Sequence, residues 1–352
     1  MKDQNCFVDG ISTALPPLAI AQEEGAAFLK KNFSARLRPG SIKLMEKVFA
    51  HPSVKSRRFA FTDAGSLVDE DPDKRVERFT RWALRLSAEA GRAALKRAGL
   101  APRDISGLVV NTCTGYLCPG LSTYLIEEMG LGRSVKAYDL VGSGCGGAVP
   151  NLQLAGALAR EKPEGAVLSV SVEICSCTFQ MGDDASLIIS NAIFGDGAGA
   201  AVVRARPGGF ALVDSASRFA PEYREDIRFV HRNGQLHNQL SARLPGLAAQ
   251  TAGALVQELL AANGLARGSI SRWAVHPGGE NVINSVQDKL GLAARDMRCT
   301  RKVLSGLGNM SSATVWFILR EMELEGLRPG ELVVMLAFGA GLSAHAYLLR
   351  KV

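Results

Sequence analysis

The chain has 352 residues, 47% of them hydrophobic and 21% charged, and Lys plus Arg exceed Asp plus Glu by 7. That length buries a large core, and the mild positive balance suits an anionic small ligand. The basic residues are scattered, which excludes a nucleic-acid arm, and no apolar stretch reaches the ~20 residues a membrane span requires. Seven irregularly spaced cysteines, with no secretory signal in Met1–Val8, predict free thiols in a cytoplasmic chain. Cys175 and Cys177 lack zinc-knuckle spacing and only five histidines occur, so no metal site is expected.

In chain order, Phe7–Pro17 reads as a strand and turn, and Ala21–Lys31 and Ser41–Ala50 as helices. A basic segment follows at Val54–Phe59, then an acidic, Pro-containing loop at Asp63–Lys74. Val76–Ala98 carries apolar residues at helical spacing.

Next comes an internal repeat. Gly99-Leu-Ala-Pro-Arg-Asp-Ile-Ser106 with Gly107–Asn111 matches Gly264-Leu-Ala-Arg-Gly-Ser-Ile-Ser271 with Arg272–His276, at an offset of 165 residues. At an offset of 164, Cys145 in Val141-Gly-Ser-Gly-Cys-Gly-Gly-Ala148 finds a counterpart in Asn309 of Gly308-Asn-Met-Ser-Ser-Ala313. Each is a small-residue turn entering an apolar helix. Strands follow in both halves, at Ala166–Val172 and Gly195–Val203 and at Leu332–Phe338 and Gly339–Leu349. Two copies of one unit predict a duplicated α/β fold with its break near Arg204–Gly209. Cys145 and Asn309 then face each other across a pseudo-two-fold axis, with His276 close by.

A helix N-terminus favours thiolate, and the flanking glycines let a large acyl group approach the backbone. The alternative use of Cys145 is as a small buried hydrophobe. His276 stands before Pro277-Gly-Gly279, which ends its strand and presents the imidazole at a turn. Beside Cys145 it is expected to hold a thiolate–imidazolium pair. Asn309 offers a non-titrating donor for an oxyanion. A papain-like protease also uses Cys, His and Asn, but its nucleophile lies in a different local run near the mature N-terminus.

Gly144-Cys-Gly-Gly147, Phe194-Gly-Asp-Gly-Ala198, His276-Pro-Gly-Gly279 and Gly308-Asn-Met-Ser-Ser-Ala313, in this order, resemble the type III polyketide synthases. These are the chalcone-synthase-like branch of the thiolase superfamily, and the likeness is to a bacterial-type member. The resemblance implies an α/β, thiolase-like duplicated αβαβα layered fold, with residues 1–206 carrying the cysteine and 207–352 the histidine and asparagine. It implies an acyltransferase in which Cys145 accepts a starter from an acyl-CoA, while His276 and Asn309 bind malonyl-CoA and stabilise its enolate. A homodimer using CoA thioesters as substrates and no cofactor follows from the same resemblance. The alternatives are a ketoacyl-carrier-protein synthase III-like enzyme, which performs one condensation and carries different His and Asn motifs, and a non-catalytic acyl-CoA-binding homologue.

By motif position Phe194 resembles a gatekeeper between CoA tunnel and cavity. Cys113, Thr114, Cys175, Thr178 and Ser311 fall on the implied pocket wall, and Cys118 where the family reaches into the partner's cavity. Lys47 and Lys55, with Arg57 and Arg58, fall in the region implied to bind CoA phosphates. Two departures stand out. Ala337-Phe-Gly-Ala-Gly341 replaces a Gly-Phe-Gly-Pro-Gly loop, and the implied gatekeeper hairpin, Asn233–Leu244, contains no aromatic residue, so a wider tunnel mouth is expected.

Overall fold

Strands covered on both faces are buried at nearly every position, and two such strands form the centre of this molecule. The computed structural model describes residues 6–69, 71–232 and 234–352. Within it Ala166–Ile174 is buried throughout, and Asp196–Arg204 is buried up to its last residue. Nine strands form one sheet in the spatial order Arg272–Val275, Leu332–Gly339, Ser343–Lys351, Phe210–Phe219, Phe7–Ala14, Asp196–Arg204, Ala166–Ile174, Ile105–Asn111 and Lys136–Leu140.

The order shows the duplication directly. Ile105–Asn111 pairs parallel with Ala166–Ile174, which pairs antiparallel with Asp196–Arg204. Arg272–Val275, Leu332–Gly339 and Ser343–Lys351 repeat that pattern. The halves join where Phe7 lies opposite Ala211 and Val8 opposite Phe210. The repeated Gly99 and Gly264 both take left-handed φ values, +66° and +63°, which end the preceding helical segment and redirect the chain into each half's first parallel strand.

Side-chain alternation along these strands sorts the core into layers. Val109, Val167, Ala201, Val333, Met335 and Tyr347 pack around the helices Ala148–Glu161 and Thr314–Glu325, with Trp316 fully buried among them. The intervening residues, such as Leu108 and Leu168, face the long helix Pro72–Ala98. Val334 and Leu348 face Leu244–Ala262 and Glu280–Leu290 on the other side. With the two halves of the sheet counted as separate layers, the order is helix, half-sheet, central helices, half-sheet, helix, the αβαβα thiolase-like arrangement. Its two central helices start at equivalent sheet edges, so both helix N-termini meet in one place.

The remaining elements wall that place. Helices Gln22–Phe33 and Pro39–Phe49 pack with Ala185–Ile193 in a separate apolar cluster. The basic segment is a strand, Ser56–Phe59, paired with Leu18–Ala21. The expected acidic loop is shorter than its charge suggests. The helix begins at Pro72, because the Asp71 side chain accepts the Asp73 and Lys74 N–H groups and caps it. Among the described residues no helix is long and apolar enough to cross a membrane, and all seven cysteines are free.

One close approach fixes the halves against each other. A Cβ at Gly339 would lie 1.9 Å from the Ser143 carbonyl oxygen, so only glycine fits between this strand end and the Cys145 turn. Gly339→Ala should therefore destabilise the protein by about 2 kcal/mol or more, read as a lower urea midpoint. An unchanged midpoint would show that the two halves are free to separate here.

Candidate active site

Cys145 occupies a single 3₁₀ turn, Gly144–Gly146, that leads through Gly147 into the helix Ala148–Glu161. Gly144 has φ +53°, and a Cβ there would come 2.9 Å from the Ala340 nitrogen. In the second half the corresponding turn is Ser311–Ala313, leading into Thr314–Glu325. Asn309 precedes that turn by two residues. Its backbone N–H donates to the Ile193 carbonyl at 2.8 Å and its carbonyl accepts the Gly195 N–H at 3.0 Å, which ties the Phe194 segment to the Asn309 segment.

Ser311 joins the pieces. Its backbone N–H donates to Asn309 Oδ1 at 2.8 Å. Its hydroxyl lies 3.2 Å from Cys145 Sγ and 3.1 Å from Cys113 Sγ. The amide oxygen of Asn309 is thus occupied, and its NH₂ is the end left to donate. His276 follows the strand Arg272–Val275, and its N–H donates to the Leu336 carbonyl at 2.8 Å. The imidazole is buried, with Nδ1 lacking a hydrogen-bond partner among the described residues.

A cavity of about 310 Å³ opens in front of this group. Cys113, Thr114, Cys145, Cys175, Thr178, Phe194 and Ser311 all line it. His276 and Asn309 are 2% and 1% exposed and are not among its lining residues.

Burial sets the protonation states. It pushes the Cys145 thiol up to about 12, the Ser311 hydrogen bond opposing it only in part, and pushes the His276 imidazole down to about 3. Each shift on its own favours the neutral form of its group, opposite in direction to the expected thiolate–imidazolium pair.

A buried carboxylate lies behind the wall. Glu173 accepts from the Cys113 N–H at 3.0 Å, Thr114 Oγ1 at 2.8 Å, Thr112 Oγ1 at 3.2 Å and the Ser312 hydroxyl. Burial raises its pKa. Ser312 in turn accepts from Asn111 Nδ2 at 2.8 Å, and Asn111 Oδ1 accepts from Asn151 and Ser171. This network anchors both cavity-wall strands to the two central helices.

Two family models divide the chain between them. Residues 29–209 match the FAE1/Type III polyketide synthase-like protein family, and residues 211–352 match the chalcone and stilbene synthases, C-terminal domain. The 3,5-dihydroxyphenylacetyl-CoA synthase of Streptomyces toyocaensis is 31% identical over 320 residues, covering 87% of this chain and 82% of the relative. The chain belongs to the type III polyketide synthase family. An alpha-pyrone synthesis polyketide synthase-like protein of Mycobacterium tuberculosis is 28% identical, over 97% of this chain and 90% of its own. The crystal structure of PKS-I from the brown alga Ectocarpus siliculosus superposes with a TM-score of 0.90 at 28% identity, covering 99% of this chain and 98% of that one. The 1,3,6,8-tetrahydroxynaphthalene synthase of Streptomyces coelicolor does so at 0.90 and 25%, covering 98% and 99%.

In this polyketide synthase the basic residues expected near CoA differ in exposure. Lys47 and Lys55 are exposed and do not line the cavity. Arg57 is buried, donating to the Asn191 and Phe194 carbonyls and to Gln22, so it positions Phe194 and is not free for a phosphate. Arg58 donates to the Pro17 carbonyl. The hairpin is Ile227–Arg232 with Gln235–Leu240, earlier than expected, and Phe229 from its first strand lines the cavity. The wider mouth inferred from a hairpin without aromatics is therefore corrected; Asn233 itself lies outside the described residues. Cys118 is exposed. Glu173 was missed as a site residue, although a lone carboxylate ending the otherwise uncharged run Ala166–Ile174 was a visible signal.

The buried imidazoles give this synthase an acid sensitivity. Burial lowers His276 to about 3 and His345, whose Nδ1 lies 2.8 Å from Ser217 Oγ, to about 4, both from 6.5. Depressed values mean that their contribution is whole above about pH 6.5 and is lost as pH falls through the folded values. At about pH 5 each should have cost about 2 kcal/mol of stability. The urea midpoint should fall between about pH 7.5 and pH 5, and His345→Gln should flatten that fall; a parallel slope in the variant would contradict it.

Proposed function

We propose that this type III polyketide synthase transfers a starter acyl group from a CoA thioester to Cys145 and extends it with malonyl-CoA. Cys145 Sγ attacks the thioester carbonyl, its proton passes to His276, and CoA leaves as the thiol after recovering that proton. A pair that starts neutral needs this transfer at the moment of attack, which keeps a desolvated charge from forming earlier.

Malonyl-CoA then loses carbon dioxide, and the electron pair of the broken C–C bond becomes an enolate whose oxygen accepts hydrogen bonds from His276 and the Asn309 NH₂. Donors suit this step better than a base, because negative charge grows on oxygen. The enolate carbon attacks the Cys145 thioester, the C–S bond breaks with its electron pair on sulfur, which takes up one proton from solvent to restore the thiol, and a chain longer by two carbons leaves on CoA. Reloading, repetition and ring closure complete the reaction. We assign it no metal, flavin or nicotinamide, since loss of carbon dioxide drives each bond formation. The observation that carries the reading is Ser311, whose backbone orients Asn309 while its hydroxyl touches Cys145.

We also read the protein as a homodimer. The strand Lys136–Leu140 ends the sheet with one edge unpaired, and Tyr116, Tyr138 and Val141 beside it are exposed. A second copy can pair with that edge antiparallel and cover all three, which brings Cys118 towards the partner's cavity. The free thiols fit a cytoplasmic location.

The test is turnover of acyl-CoA with malonyl-CoA and no carrier protein. Wild type should release cyclised polyketides and Cys145→Ala none. His276→Gln and Asn309→Asp should slow malonyl-CoA decarboxylation by about 100-fold or more. A requirement for malonyl-carrier protein, with arrest after one condensation, would sink the reading.

A further inference from the structure

Three charged residues line the cavity. Glu24 accepts the Ala21 N–H at 3.1 Å, and Arg228 pairs with Glu225 at 2.7 Å. The third, Arg57, is only 4% exposed, and its guanidinium lies over the Phe49 and Phe59 rings, 5.5 and 4.9 Å from their centroids. Its Nε donates to Gln22 at 3.1 Å, and its Nη1 donates to the Asn191 and Phe194 carbonyls at 2.6 and 2.9 Å. Nη2 has no hydrogen-bond partner among the described residues, and it is not sealed inside the protein.

Gly25, on the helix Gln22–Phe33, lines the same cavity and leaves Nη2 uncovered. A Cβ there would lie 3.4 Å from Nη2, 3.5 Å from Phe49 Cε1 and 3.9 Å from Ile20 Cγ2, all ordinary contacts. A side chain therefore fits at this position, and inside a helix every residue but proline is a better former than glycine. What the missing side chain provides is an open N–H donor on the cavity wall.

Charge selects the group this donor meets. Burial lowers the guanidinium to about 9, which keeps it charged at neutral pH, and the negative charge of Asp196 supports that state. Asp196 is itself buried, accepting the Ala60 N–H at 2.7 Å and the Ser176 N–H and hydroxyl at 2.8 and 2.6 Å. With that counter-charge in place, and the Glu24 carboxylate on the cavity wall, a further anion is disfavoured and a neutral carbonyl oxygen is suited. A simple acyl starter brings no carbonyl beyond its thioester, whereas each condensation leaves one ketone on the chain.

We propose that Arg57 Nη2 donates a hydrogen bond to the ketone oxygen of the elongating chain, so that a 3-oxoacyl thioester is a better acyl donor to Cys145 than the saturated thioester of equal length. The proposal rests on the reading of Cys145 as the acyl carrier. Its consequence is a bias toward extension, because a chain that has been lengthened once reloads ahead of a fresh starter.

The experiment compares kcat/KM for 3-oxohexanoyl-CoA and hexanoyl-CoA, esters of equal length that differ by one ketone, with malonyl-CoA as extender. Intact-mass measurement of acylated protein accompanies each ester. Wild type should favour the 3-oxo ester about tenfold or more. Gly25→Ser, whose hydroxyl can take the Nη2 hydrogen bond, should abolish that preference while kcat/KM for hexanoyl-CoA changes less than about twofold. A merely structural role, or simple narrowing of the cavity, would lower both esters together and keep their ratio. Equal use of the two esters by wild type, or a ratio unchanged in Gly25→Ser, would overturn the assignment while acylation of Cys145 stood. No acyl adduct from either ester would instead remove the reading on which it rests.

Discussion

Ser311 holds a backbone conformation, φ 47°, that L-residues rarely adopt. The strain is local and is offset by what it makes possible: its N–H reaches Asn309 Oδ1 while its hydroxyl lies between Cys145 and Cys113. Those contacts come from opposite halves of a duplicated chain. Gly339 and Gly144 make the same junction from the other side, because each sits against backbone where a Cβ would collide. The site therefore exists only when the halves dock, and the central-layer helices, with Trp316 between the two halves of the sheet, supply the apolar burial that docks them.

Docking also sets the electrostatics. Both Cys145 and His276 are desolvated strongly enough that each favours its neutral form. A permanent ion pair would be a standing cost in such a place. Glu173 is a third buried ionisable group, and its four donors satisfy it without a cation. Its field raises Cys145 further after desolvation, and so does more to keep the thiol protonated than to activate it. Activation belongs to the step in which the thioester arrives and the proton has somewhere to go.

The architecture was legible in the sequence because duplication leaves a periodic signature. The Gly99 and Gly264 turns and the buried strand runs lie where their patterns placed them. Cavity-wall residues Cys113, Thr114, Cys175, Thr178, Phe194 and Ser311 were legible through motif order, since each lies beside a glycine turn or a strand end that the fold brings to one point. The hairpin was not. Ile227–Arg232 and Gln235–Leu240 lack clean alternation, so their register and the inward position of Phe229 had no one-dimensional signal. Basic residues were equally opaque: Arg57 and Arg58 are neighbours on one short strand, yet Arg57 is buried against carbonyls and Arg58 is only half-buried. Charge alone does not say which side of a short strand a residue occupies.

The measurement closest to the central claim is peptide mapping of enzyme quenched during turnover with an acyl-CoA starter and malonyl-CoA. The account predicts the starter, and the starter lengthened by successive C₂H₂O units, on the peptide containing Cys145. The peptides containing Cys113 and Cys175 should stay unmodified. An acyl chain on Cys113 or Cys175 in place of Cys145, or turnover with no acylated cysteine at all, would contradict it.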